Sequence, residues 1–158
     1  MSQKIRIRPG RPRDAAACLA IFRAAVHVTA AATYTKEERD AWAPDGPLPG
    51  WSERLLADTC LVATTWWGRP VGFMTMGRDG HIDFAYVHPD YTGRGVASAL
   101  YQRIENIAQV QGISTLTTQS SLSALPFFTR HGWTRDARQS VIRHGVALTN
   151  YRMSKNLR

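Results

Sequence analysis

The chain has 158 residues, 44% of them hydrophobic, which fits one domain over residues 1–158 with an ordinary buried core and excludes a disordered chain. No run reaches the ~18 uncharged apolar residues of a membrane span. With only Cys18 and Cys60 there is no disulfide framework or zinc site to expect, so no metal is predicted and the cytoplasm is the simplest address. Twenty Lys and Arg against 12 acids give +8, a surplus that draws nucleic acid, acidic membrane or a polyphosphate ligand and does not choose among them.

Residues 4–8 alternate as a strand does, and no apolar signal core follows the basic segment Met1–Arg13. Lys4, Arg6, Arg8, Arg11 and Arg13 read as a solvated strand face and loop. The aromatic-and-basic interleaving of an RNA-binding sheet is missing, so neither a nucleic acid nor a membrane is an expected partner. Pro12 and Asp14 open a helix carrying Leu19, Ile21, Phe22 and Val26. Thr33–Trp42 reads as a second helix, Pro44–Gly50 as a loop, and Trp51–Ala57 as one or two more helical turns. Thr59–Trp66 and Pro70–Met76 form a hairpin across Trp67–Arg69, and Arg78–Gly80 turns into a strand His81–His88. A long helix from about Arg94 to Gln111 repeats Val96, Leu100, Ile104 and Ile107 on one side. A strand Ile113–Thr118, a helix Leu122–Arg130 and closing strands Trp133–Arg143 and Val146–Met153 complete the order β-α-α-β-β-β-α-β-α-β-β. That is an α/β (α+β) fold, a mixed sheet with helices on both faces.

Thr92-Gly93-Arg94-Gly95-Val96-Ala97-Ser98 carries the functional signal. It joins a strand to a long helix, whose first turn leaves backbone N–H groups unpaired and carries partial positive charge. Gly93, Gly95 and Ala97 let a pyrophosphate approach that backbone, and Arg94 adds charge. A Rossmann fingerprint is incomplete, since Ser98 takes the third glycine position and no acid lies between Glu105 and Asp136. A P-loop fails for want of Gly-Lys-Ser/Thr. A simple tight turn remains as the alternative.

His81–Ala99 resembles motif A of the GNAT (Gcn5-related N-acetyltransferase) superfamily, whose loop reads Arg/Gln-x-x-Gly-x-Gly/Ala; Thr92 stands at its first position. Ser121-x-x-Ala124-x-x-x-Phe128-x-x-x-Gly132-Trp133 resembles motif B, with Ser121 for its Asn and Phe128 for its Tyr. Ile82-Asp83, the Thr92–Ala99 loop, Pro126-Phe127-Phe128 and Thr149-Asn150 are similar to the YafP-like bacterial group. The resemblance implies a twisted, mostly antiparallel sheet that splits between His81–His88 and Ile113–Thr118. It implies acetyl-coenzyme A as cofactor, with pantetheine on the backbone of Ala85, Tyr86 and Val87, pyrophosphate on Thr92–Ser98, and Ser121, Phe128 and Arg130 alongside. Transfer would go to a primary amine of a small molecule or peptide by direct attack in a ternary complex, in an enzyme whose closing strands admit a homodimer. With Phe128 in place of the usual acid, the alternative is a non-catalytic acyl-CoA-binding sensor, or else Tyr34, Tyr86 or Tyr151 supplies the hydroxyl.

An alkylammonium, pKa near ~10.4, must lose a proton before it attacks. On an ideal strand His81, Asp83, Ala85 and Val87 share a face, making His81 and Asp83 the candidate bases, unless a β-bulge of the kind the GNAT resemblance implies near this point reverses the facing; a surface histidine and a surface ion pair are the alternatives. The resemblance favours Asp83, whereas imidazoles suit the task by titrating near ~6.5. Tyr34, Trp42 and Trp51, with Glu37, Glu38 and Asp40 nearby, would wall the acceptor site and suit a cationic amine with an apolar body, although core packing explains each Trp as well.

Overall fold

The computed structural model describes residues 4–158. A seven-stranded sheet runs in the order β1-β2-β3-β4-β5-β7-β6. Its strands are β1 Ile5–Pro9, β2 Thr59–Thr65, β3 Pro70–Met76, β4 His81–Val87, β5 Thr115–Ser121, β6 Thr134–Arg143 and β7 Val146–Asn156. Every neighbouring pair is antiparallel except β4–β5. The helices are α1 Ala15–His27, α2 Lys36–Trp42, α3 Trp51–Leu55, α4 Val96–Val110 and α5 Leu125–Arg130.

Helices cover both faces. Beneath α1 and α3, Cys18, Ile21, Phe22, Val26 and Leu55 meet Val62, Phe73 and Phe84. Beneath α4 and α5, Val96, Leu100, Tyr101, Ile104 and Phe128 meet Leu61, Ala63, Met74, Met76, Ile82 and Leu116. The central strands β2 and β3 are therefore buried on both sides and carry apolar residues almost without interruption. Removing Leu100 or Ile104 down to Ala would each cost ~2–5 kcal/mol, since both are fully buried. The helical stretch Pro12–Ala32 is long and apolar enough to cross a membrane by composition, with a mean hydropathy of 1.7. Its residues Cys18, Ile21, Phe22 and Val26 are nevertheless committed to the sheet, and Asp14 and Arg23 break its apolar run.

The architecture follows the sequence expectation, with local corrections. The helical turns at Trp51 form a separate helix, α3. The second helix starts at Lys36, not Thr33, because Thr35 and Glu38 close a capping box: Glu38 N–H donates to Thr35 Oγ1 at 3.1 Å and Thr35 N–H to Glu38 Oε1 at 2.8 Å. The long helix starts at Val96, not Arg94, because Gly93 and Gly95 are left-handed at φ +73° and +80°. The strand expected at Ile113–Thr118 is Thr115–Ser121, and the helix after it begins at Leu125.

Candidate active site

β4 and β5 pair only at the first two residues of β4, His81 with Thr117 and Ile82 with Thr118. Thr118 Oγ1 donates to the Ile82 carbonyl at 2.8 Å, and His81 Nδ1 lies 2.9 Å from Thr117 Oγ1. Past these contacts Gln119–Ser121 pair with β7 alone and Ala85–Val87 with β3 alone. The backbone edge of Ala85–Val87 that faces β5 thus has no strand partner. An extended ligand can complete such an edge by backbone hydrogen bonds.

β4 also carries a bulge. Met74 pairs with Ala85 but Met76 with Ile82, so Asp83 and Phe84 together oppose Thr75, and Phe84 N–H donates to Thr75 Oγ1 at 3.0 Å. One extra residue reverses the facing of those that follow. Ala85 and Val87 consequently pack toward α4, while Phe84 and Tyr86 pack toward α1. The expectation that His81, Asp83, Ala85 and Val87 share a face fails at the bulge: Asp83 projects on the α1–α3 side, where Arg54 meets it.

Beyond β4 the chain makes a short 3₁₀ turn, Pro89–Tyr91, and reaches α4 through Thr92–Gly95. Thr92 Oγ1 donates to the Pro89 carbonyl at 3.0 Å, so its hydroxyl closes the turn. A Cβ built on Gly93 or Gly95 would meet no atom within 4 Å, so both glycines serve the left-handed backbone and leave its outer side clear. No side chain caps the 15-residue α4, whose first N–H groups stay available. Arg94 lies over the Tyr91 ring at 5.2 Å, Val96 is buried, and exposed Ser98 contacts His131 Nε2 at 3.2 Å. Burial, with the charges of Lys155 and Arg130, pushes the His131 pKa below the usual imidazole value.

These features suit a pyrophosphate joined to an extended arm. An acetyltransferase (GNAT) domain matches residues 30–155. The chain is 36% identical over 149 residues, 94% of each chain, to the uncharacterized N-acetyltransferase YafP of Escherichia coli K12. The chain belongs to the GNAT acetyltransferase family. A solved GCN5-related N-acetyltransferase of Rhodopseudomonas palustris superposes with a TM-score of 0.90 at 36% identity, covering 99% of both chains. The PaiA N-acetyltransferase of Thermoplasma acidophilum, solved with coenzyme A, shares the fold at a TM-score of 0.75 and 18% identity, covering 97% of this chain and 99% of its own.

In this GNAT chain a cleft of about 380 Å³ opens from the β4–β5 split. His81, Asp83, Ala85, Tyr86, Ser121 and Phe128 line it, together with Tyr34, Trp42 and Trp51. Val87, Thr92–Ser98 and Arg130 lie outside its walls. Ser121 Oγ accepts from Ala124 N–H at 3.0 Å, fixing the turn into α5. Phe128 is 2% exposed and packs edge-on against Trp133 at 4.9 Å, so hydrocarbon occupies the place of the family's hydroxyl.

The aromatic lining is continuous: Trp51 stacks on Phe22 at 5.5 Å and meets Phe84 at 5.1 Å, and Trp42 meets Tyr34 at 5.2 Å. Two of these rings are also tied to the fold by hydrogen bonds. Trp51 Nε1 donates to the Ala15 carbonyl at 2.8 Å; Tyr34 Oη donates to Thr149 O at 2.5 Å and accepts from Leu122 N–H at 3.0 Å. Burial raises the pKa of both Tyr34 and Tyr86. Tyr151, the third candidate hydroxyl, packs into the core on the α4 side.

Glu37, Glu38 and Asp40 do not reach the cleft, correcting the expectation of acids beside the aromatics. Glu38 is spent on the cap and Asp40 pairs with Lys36 at 2.7 Å. Asp83 is the one carboxylate on the cleft wall among the described residues. Sequence reasoning missed Arg54, which grips Asp83, and Arg143 and His144, which the β6–β7 turn brings to the rim as His144 Nδ1 meets the Ala41 carbonyl at 2.7 Å. It gave no role to Gln139 and Asn150, opposite each other in the β6–β7 register, whose buried Nε2 and Oδ1 have no partner in the described structure. Apart from Asn150, which closes the Thr149-Asn150 pair, none of these residues sits in a motif.

Proposed function

We propose that this GNAT protein is an acetyl-CoA-dependent N-acetyltransferase that passes acetyl to a primary amine of a small molecule or peptide by direct attack in a ternary complex. The observation carrying this reading is the partnerless edge of Ala85–Val87 beside an aromatic cleft that holds Asp83. When bound, acetyl-CoA supplies an acyl group activated as a thioester. The amides of Gly93–Ser98 and the Arg94 guanidinium hold its phosphates, with Arg130 near the same end; the Thr92 N–H is engaged by the Pro89 carbonyl. The free edge of Ala85–Val87 takes its extended arm, and one N–H of that edge polarises the acyl carbonyl, a contribution of roughly 2.7–4 kcal/mol in comparable acyl-transfer sites. Ser121 and Phe128 form the opposite wall.

The residues then divide the work on the amine. Trp42, Trp51 and Tyr34 enclose its apolar body. Both Asp83 oxygens already accept from Arg54, at 2.7 and 2.8 Å, so Asp83 orients the ammonium. In the tautomer whose Nδ1–H donates to Thr117 Oγ1, His81 presents a bare Nε2 to receive the proton. Tyr34 does not suit protonation of a departing thiolate, because its hydroxyl donates to the Thr149 carbonyl; Tyr151 lies outside the cleft, and burial makes Tyr86 hold its proton more tightly than a free tyrosine. On this reading the thiolate leaves without a general acid.

The same reading places one catalytic domain over residues 1–158 in the cytoplasm, acting on an amine and not on nucleic acid or membrane, with homodimer formation through the edge strand β6. The test is thiol release from acetyl-CoA across a panel of primary amines, with acetyl-CoA affinity measured calorimetrically. Tight binding without release on any amine would leave only the sensor function; no binding would remove both.

A further inference from the structure

We propose that the acceptor is an α-amino acid with an apolar or aromatic side chain, held by its carboxylate as well as its amine. The inference rests on the acetyl-transfer reading and names the substrate class of that same site. The cleft wall carries two guanidiniums, Arg54 and Arg143, two imidazoles, His81 and His144, and a single carboxylate, Asp83. Asp83 is already neutralised: Arg54 Nε donates to Oδ2 at 2.8 Å and Nη2 to Oδ1 at 2.7 Å, while the guanidinium lies 4.6 Å from the Phe84 ring centroid. A bare ammonium entering this cleft gains the lone pairs that Asp83 keeps beside Arg54, but nothing there offsets its repulsion by Arg54 and Arg143.

A zwitterion meets the opposite situation. The Arg54–Asp83 pair is a fixed dipole, and a second dipole laid head to tail beside it gains at both ends. The ammonium faces Asp83, whose oxygens keep free lone pairs. The carboxylate faces Arg54, which has five N–H donors and spends two on Asp83. Arg143 is the second anion donor at the rim. Its one hydrogen bond goes to the Ile142 carbonyl at 3.3 Å, and no acid lies within ion-pair distance of it among the described residues. Phe22, Trp42, Trp51 and Tyr86 supply an apolar wall for the side chain. The acids that would have favoured a simple cation, Glu37, Glu38 and Asp40, are outside the cleft.

The experiment compares each amino acid with the amine left by removing its carboxylate: phenylalanine with phenethylamine, and leucine with 3-methylbutylamine. Thiol release at saturating acetyl-CoA gives kcat/KM for wild type, Arg54→Gln and Arg143→Gln. Both arginines are surface-accessible, and circular dichroism confirms that each variant folds. Wild type is expected to prefer the amino acids at least tenfold, and at least one variant is expected to lose tenfold or more of that preference. The change in the ratio on mutation does not depend on the intrinsic reactivity of the amines. Equal or faster turnover of the decarboxylated amines, or a preference that both variants retain, overturns the proposal while acetyl transfer stands. Thiol release with neither set overturns the proposal and, if the wider amine panel is silent too, acetyl transfer with it.

Discussion

Arg54 on α3 and Asp83 on β4 lock together through two parallel hydrogen bonds of 2.8 and 2.7 Å, and this pair decides which role Asp83 can take. A carboxylate so held is a binding group. Asp83→Asn should raise KM for the amine and leave kcat within a few fold of wild type, with kcat/KM falling ~10–100-fold for loss of a charged hydrogen bond worth about 1.5–3 kcal/mol. Acetyl-CoA affinity should not change. A fall in kcat at constant KM that recovers at high pH would instead make Asp83 the base.

His81 is predicted to show that second pattern. His81→Ala should lower kcat by ~10²–10⁴ at neutral pH, and the deficit should shrink as pH rises toward the amine's own pKa near ~10.4, where free amine no longer needs a base. A pH–rate profile at saturating acetyl-CoA checks it. A uniform deficit at every pH would assign His81 to holding the β4–β5 junction through Thr117.

The sequence was more informative about elements than about directions. Alternation located β1, apolar runs bounded by turn residues located β2, β3 and β4, and the 3.6 period located the long helix, because such patterns record which faces are buried. Gly93 and Gly95 located the strand-to-helix turn, since a turn with left-handed residues favours glycine. The resemblance admitted a bulge in this strand, but its position was not legible: Phe84 N–H donates to Thr75 Oγ1 there, a contact nine residues apart that no periodicity records. Arg54 was hidden for a similar reason. Its meaning comes from Asp83, 29 positions later in the chain. Thr35-x-x-Glu38, by contrast, was a readable capping box that marks the true start of α2.

Gly95 offers a separation of binding from folding. Its φ of +80° makes any side chain strained by ~1–2 kcal/mol, yet a Cβ there touches no protein atom. Gly95→Val should therefore remain folded, with a modestly lower Tm, and lose acetyl-CoA affinity by at least tenfold because the branched side chain stands where phosphate must approach. Calorimetry showing wild-type affinity in the folded variant would rule out this loop as the phosphate site.

Phe128→Tyr tests whether the site lacks only a hydroxyl. Phe128 is enclosed by Phe127 and Trp133, and its face on the cleft is hydrocarbon. The new hydroxyl should change kcat by less than tenfold, well short of the ~10²–10⁴ of a working general acid. A gain of a hundredfold or more in single-turnover experiments would show that departure of the thiolate had been limiting.

The last prediction concerns stability, away from the cleft. Arg8 donates two hydrogen bonds to Asp14, at 2.7 and 2.8 Å, and Arg11 N–H adds a third at 2.8 Å. The Asp14 side chain is 4% exposed, and the Arg8 hydrogen bond, followed by the Arg11 amide, holds its pKa below the usual carboxylate value. A carboxylate whose pKa is depressed on folding releases its proton more readily in the native state, so it contributes stability above the unfolded value of ~3.9 that is lost as pH falls through the lower folded value. Asp14→Asn removes the charge but leaves Arg8 and the Arg11 amide facing an amide, and should cost about 3 kcal/mol at pH 7, the low end for breaking a buried pair, because Arg8 keeps some contact with water. The difference in unfolding free energy between wild type and variant should be constant from pH 8 to pH 5 and narrow below about pH 4. Urea unfolding at a series of pH values measures it. A gap that stays constant to pH 2 would mean that packing, not charge, accounts for the loss.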